Sequence, residues 1–425
     1  MRRRQKLLCL DTQAELIDDG VILENPQAKR PALLRAIFGK KRLDIKDDLP
    51  GVYKYSDWLP IARTLKADGA PVTYPSRKLG RYLGLRNLYI TFNGYWPEIG
   101  ATMKTGTFKE CEAYSVCARF PKGAGTLVVA SAGNTARAFM KVASENDIPM
   151  AIVVPEKNVD SLWSLEPLNP CVKIVAAGGE SDYYDAIRLS NAICGIDGFV
   201  NEGGAKNVAR RDGMGTTVLS AATTIGEIPD YYFQAVGSGT GAIAAYEANL
   251  RLNQSGQFKP KKMRLFVSQN LPFAPMAKAW AKKSRTLDPM DDGEALSEID
   301  TMVAKVLSNR QPPYGITGGL YDALTGSDGD VIAVENQQAL EAQQLFLEKE
   351  GRDICPEAGV ALASLMLKLK DGALRRGDVI MLNITGGGME ALARENTLYR
   401  AAPSLVVPRE DIGAETMKEK IKSLF

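Results

Sequence analysis

The chain has 425 residues, 45% of them apolar, and no histidine. That size suits two or three domains with a substantial core, and the missing imidazole excludes Ser-His-Asp triads, Cys-His pairs and HExxH zinc sites. Lysine and arginine number 53 against 50 acidic residues, and a net charge of +3 is no footprint for nucleic acid.

The first 46 residues carry 11 basic and 6 acidic side chains, from MRRRQK to KKRLDIK. They read as a solvated, mobile N-terminal extension over 1–50, with a basic arm as the alternative. No apolar run approaches the roughly 20 residues of a membrane span, and LLCL is too short for a secretory signal core. The cysteines (Cys9, Cys111, Cys117, Cys171, Cys194, Cys355) are scattered without a CxxC pair. That argues against a metal site or a disulfide framework and for a reducing cytoplasm.

From residue 126, apolar strands alternate with helices. TLVVA (126–130) predicts a buried strand and NTARAFMKVASEN the helix after it. MAIVV (150–154) and VKIVAA (172–177) predict further strands, and YYDAIRLSNAIC (183–194) a helix. YYFQAV (231–236) leads through GSGTG into the helix AIAAYEANLRL, and RLFVSQ (264–269) and DVIMLNI (378–384) complete the set. Strands separated by single helices need crossover connections, so the pattern predicts an α/β protein with mostly parallel sheet covered by helices. Ligands of such sheets bind beyond the carboxyl ends of strands. The irregular stretch 309–330 is long enough to serve a site, with a bland surface loop as the alternative. Within it, Tyr314 and Tyr321 could line a lid or pack in the core.

Three strand ends are glycine-rich. Ser131-Ala132-Gly133-Asn134-Thr135 sets hydroxyls, an amide and backbone N–H groups at a helix start, a seat for a carboxylate or an ordinary N-cap. Gly237-Ser238-Gly239-Thr240-Gly241 forms a phosphate cradle. It lacks the GK[ST] of a P-loop, and the next strand has no acid at its tip for a dinucleotide ribose. Asn383-Ile384-Thr385-Gly386-Gly387-Gly388 is the third. The run Lys104-Thr105-Gly106-Thr107-Phe108-Lys109-Glu110 adds amines. A lone lysine is ordinarily a surface charge, but without histidine a desolvated one can be both nucleophile and proton carrier. Lysine, cradle and asparagine turn together suit pyridoxal phosphate.

These motifs, with Thr107-Phe108-Lys109, SDWLP (56–60), FNGYWPEIGA (92–101), NEGGAKNVARRDGMGT (201–216), QNLPFAPM (269–276), PPYGITGGLYDAL (312–324) and LNITGGG (382–388), resemble the fold-type II (tryptophan synthase β-like) pyridoxal-phosphate enzymes. Within the threonine synthase and cysteine synthase group, the likeness is to cysteate synthases. It covers about residues 52–400 and not the head, which lacks their CxxCG-like start. The resemblance implies two domains, a large one from 51–117 and 226–425 and a small mobile one from 118–225, and a homodimer. It implies that Lys109 is the Schiff-base lysine and proton carrier. Asn134 would meet the cofactor's phenolic oxygen, Gly237 to Gly241 its phosphate and Thr385 its pyridine nitrogen. Ser131 and Thr135 would seat the substrate carboxylate, and Arg210, Arg211 or Lys104 an anionic group. A surface ion-pair face is the competing reading for the arginines. The implied reaction is β-replacement on O-phospho-L-serine with sulfite, giving L-cysteate and phosphate. The alternatives are threonine synthesis from O-phosphohomoserine, another nucleophile on phosphoserine, or a non-catalytic amino-acid-binding relative.

Overall fold

The computed structural model describes residues 5–131, 133–181 and 183–425. The opening MRRR and Ala132 of the asparagine turn lie outside the described residues.

Two sheets dominate. The larger has six strands in the order Asp330–Val334, Arg264–Asn270, Tyr231–Ala235, Val379–Ile384, Asn87–Phe92, Val72–Pro75, parallel except for the last. The smaller has five parallel strands in the order Phe199–Asn201, Thr126–Ala130, Met150–Pro155, Val172–Ala177, Leu405–Val407. The strands predicted from apolar runs are interior ones. Every residue of Met150–Pro155 and Val379–Ile384 is buried, because helices cover both faces. Each fully buried Ile or Val there contributes about 1.5–3 kcal/mol.

Four expectations change. The head is folded: Lys6–Cys9, Glu15–Ile17 and Leu34–Ile37 form an antiparallel sheet, with Leu7, Cys9 and Leu34 wholly buried. Lys6 and Arg35 lie on strands whose alternate residues Leu7, Cys9, Leu34 and Ala36 are buried, so the basic count concealed a buried face. Leu405–Val407 pairs with Val172–Ala177, which joins the chain end to the smaller sheet instead of the larger one. Helix Val208–Ile225, expected with the small domain, packs between helices Lys109–Arg119 and Thr240–Ser255. A Cβ at Gly213 would come within 2.9 Å of Ser115 Cβ, and one at Gly215 within 3.5 Å of the Ala244 carbonyl. The stretch 309–330 contains helix Leu320–Ser327. Tyr314 there is buried and donates to the Ser284 carbonyl at 3.0 Å, with Tyr321 edge-on to it, so both pack as core neighbours.

Among the described residues no helix is long and apolar enough to cross a membrane, and the six cysteines are free thiols.

Candidate active site

Lys109 opens helix Lys109–Arg119 because the preceding segment is pinned to the late glycine loop. Phe108 N–H donates to the Thr385 carbonyl at 2.9 Å, Gly387 N–H to the Gly106 carbonyl at 3.0 Å, and Thr107 bridges Gly386. The glycines allow this approach: a Cβ at Gly386 would lie 3.0 Å from the Gly106 carbonyl, Thr107 Cγ2 and Cys355 Sγ alike. Buried Thr385 is thereby fixed next to the lysine's segment.

Lys109 Nζ stands 3.3 Å from Glu112 Oε2, one turn along the helix, and 5.0 Å from the Phe108 ring centroid. The lysine side chain is 21% exposed and Glu112 is fully buried. The other Glu112 oxygen accepts from Thr135 Oγ1 at 3.0 Å and meets Arg210 Nη1 at 3.1 Å. Arg210 also holds Glu202 through Nε, at 2.8 Å, and Nη2. One buried carboxylate therefore ties Lys109, Thr135 and Arg210 together, and the surrounding cations offset its desolvation.

Asn134 begins helix Asn134–Glu145. Its Nδ2 donates to Glu357 Oε1 at 3.2 Å and its Oδ1 accepts from Arg137. Burial pushes the Glu357 carboxyl above the usual carboxylate range, opposed by Arg137, Asn134 and Lys109. Burial also holds the neighbouring Cys355 thiol well above its ordinary value, which leaves it a poor nucleophile at neutral pH. At the strand end, Ser131 N–H donates to the Val153 carbonyl at 3.1 Å.

The cradle lies between strand Tyr231–Ala235 and helix Thr240–Ser255. Gly239 has φ +77°, and a Cβ there would come within 2.8 Å of Leu320 Cδ2. A Cβ at Gly241 would meet Gln234 Nε2 at 2.7 Å, and one at Gly237 would meet Leu307 Cα at 3.1 Å. Ser238 Oγ and Thr240 Oγ1 are 2.8 Å apart at the helix N-terminus, where amides and dipole favour an anion.

The structure does not bring every candidate to this place. Arg211 is wholly buried: Nε lies 2.9 Å from Glu247, and its other nitrogens donate to the Ala205 and Leu34 carbonyls, so it anchors the N-terminal sheet. Lys104 pairs with Asp68 at 3.0 Å and, with Lys141 and Trp163, lines a cavity of about 360 Å³. Glu112, Glu202, Glu357 and Arg137 escaped the sequence reading. Glu112 alone had a local signal, the i,i+3 spacing from Lys109.

A reachable lysine, a glycine loop that tolerates no side chain, and the buried Thr107 Oγ1, without a hydrogen-bond partner among the described residues, fit pyridoxal 5'-phosphate. The fold and these residues define a fold-type II pyridoxal-phosphate enzyme. The model of the pyridoxal-phosphate dependent enzyme family matches residues 99–386, and the chain belongs to that family. Within it, the chain belongs with the cysteate synthases. It is 47% identical to the cysteate synthase of Methanocella paludicola, covering 92% of each chain, and 46% identical to that of Methanosarcina barkeri, covering 91% and 93%. The cysteate synthase of Methanoculleus marisnigri is 44% identical over 99% of this chain and 97% of its own, so the likeness extends into the head. Among solved structures, maize serine racemase matches with TM-score 0.57 at 17% identity, over 76% of this chain and 91% of its own. A threonine deaminase isoform of Solanum lycopersicum matches with TM-score 0.55 at 15% identity, over 76% and 86%. These two speak for the fold.

Proposed function

We propose that the enzyme replaces the phosphate of O-phospho-L-serine by sulfite, giving L-cysteate. The 44–47% identity to cysteate synthases supports the substrate pair. The observation that carries the chemistry is Lys109, an amine held 3.3 Å from a buried carboxylate in a chain without histidine.

When bound, pyridoxal 5'-phosphate supplies an aldehyde for the lysine and a sink for the charge that develops at the substrate Cα. Lys109 would hold it at that aldehyde, the 237–241 loop at its phosphate, Asn134 at its ring hydroxyl and Thr385 at its ring nitrogen. Lys109 Nζ takes the Cα proton and later returns one to the same carbon. The Cβ–O bond breaks with loss of phosphate, and a Cβ–S bond forms from the sulfite lone pair. Ser131 and Thr135 orient the substrate carboxylate at the head of their helix, and Glu112 keeps Lys109 and Thr135 in register. The part built on the five-stranded sheet closes over the substrate and excludes water. Family likeness supports a homodimer, and free thiols support a cytoplasmic setting.

Phosphate release tests this reading, measured with O-phospho-L-serine and with O-phosphohomoserine, each with and without sulfite. The proposal expects turnover of phosphoserine that depends on sulfite. Threonine formed from phosphohomoserine would replace it with a threonine synthase reading.

A further inference from the structure

A reaction that releases one oxyanion and takes up another needs a cation to receive them, and the cations first considered are engaged. Arg210 is held by Glu112 and Glu202, Arg211 by Glu247, and Lys104 by Asp68. A guanidinium already neutralised by carboxylates gains little from a further anion.

Arg137 differs. It lies one turn into the helix that Asn134 begins. Nη2 donates to Asn134 Oδ1, Nη1 to the Ser161 carbonyl at 3.2 Å, and the guanidinium carbon sits 5.1 Å from the Trp163 ring centroid. Its Nε is buried without a hydrogen-bond partner, and no carboxylate forms an ion pair with it among the described residues. Glu357, which shares Asn134 with it, is pushed by burial towards its neutral form. Burial also weighs against the charged form of Arg137 itself. A half-buried cation whose buried Nε–H lacks a partner calls for an anionic ligand.

We infer that Arg137 is the oxyanion receptor of the active site, its vacant Nε–H and charge receiving a compact oxyanion, either the substrate's phosphate group or the incoming sulfite. The inference rests on the reaction proposed above. Trp163 keeps the guanidinium plane in place, and the Asn134 contact fixes it beside the residues proposed to hold the cofactor.

The test uses the cofactor-loaded enzyme, whose visible absorbance reports an intact site, and calorimetric titration with inorganic phosphate and with sulfate. Arg137→Gln should retain the absorbance and weaken binding of these anions about tenfold or more. Arg137→Lys keeps the charge but loses the planar fork, should weaken binding about threefold or more, and decides the matter if the glutamine variant does not fold. Steady-state kinetics separate the sources: a raised KM for phosphoserine identifies the phosphate group, and a raised KM for sulfite identifies the nucleophile. Unchanged anion affinity together with both KM values unchanged would overturn the inference. A wild-type enzyme that binds phosphate through Arg137 but does not turn over phosphoserine would sink the reaction and leave the receptor standing.

Discussion

Glu112 Oε2 lies 3.3 Å from Lys109 Nζ, and the same carboxylate holds Thr135 at 3.0 Å and Arg210 at 3.1 Å through its other oxygen. Carboxylate and lysine share one helix, so the distance is set by a single helical turn. Glu112→Gln keeps the shape and an acceptor for Thr135 but removes the charge that steadies both cations. We expect kcat to fall about tenfold or more, a barrier increase of about 1.4 kcal/mol, with KM for phosphoserine changed less. Breaking a buried ion pair should also lower stability by about 3–5 kcal/mol, visible as a lower melting temperature.

Glu357 makes stability depend on pH. Its carboxyl is raised in the folded protein, chiefly by burial, so between the unfolded value and the raised one the folded state binds the extra proton. Stability is therefore fully present below the ordinary glutamate range and declines as pH climbs through that window, by about 1.4 kcal/mol per pH unit crossed. Glu357→Gln removes this contribution. Melting curves from about pH 5 to about pH 8 should show the wild type losing ground to the variant. Glu110 and Asp212, also raised by burial, titrate in both proteins and leave the comparison intact.

Gly239→Ala should cost cofactor affinity. The position has φ +77° and no room beside Leu320, so a methyl group forces the 237–241 loop to shift. A strain of about 1–3 kcal/mol corresponds to roughly a 5- to 150-fold weaker hold on pyridoxal phosphate. Titration of the apoenzyme by visible absorbance measures it.

The N-terminal sheet is part of the fold. Arg211 joins the Leu34 carbonyl to buried Glu247, which Arg35 also reaches at 3.2 Å. Arg211→Met should lower the urea-unfolding free energy by about 3–5 kcal/mol. Removing residues 5–38 should be more damaging still, because Leu33 and Leu34 cover the body beneath.

Interior strands were legible in the sequence because burial on both faces favours near-continuous apolar runs, as in Met150–Pro155. Asn87–Phe92 was not, because it mixes polar residues into a mostly buried strand, where Thr91 is satisfied by Thr73 at 3.0 Å. Leu405–Val407 was hidden by its three-residue length between Pro403 and Pro408. In the candidate site, the Asn134 turn and the glycine loops stood out because strand-end turns constrain their own composition, whereas Lys109 was singled out by the family resemblance. The Asn134–Glu357 contact joins residues 223 positions apart, and nothing local to either announces the other. The commitment of Arg211 to Glu247 was invisible for the same reason, since the pair spans 36 positions.

The most direct test of the central claim is product analysis of the loaded enzyme given O-phospho-L-serine and sulfite. The account predicts one L-cysteate for each phosphate released, and neither product from Lys109→Ala. Phosphate released without cysteate, or cysteate still formed by the Lys109→Ala variant, would contradict it.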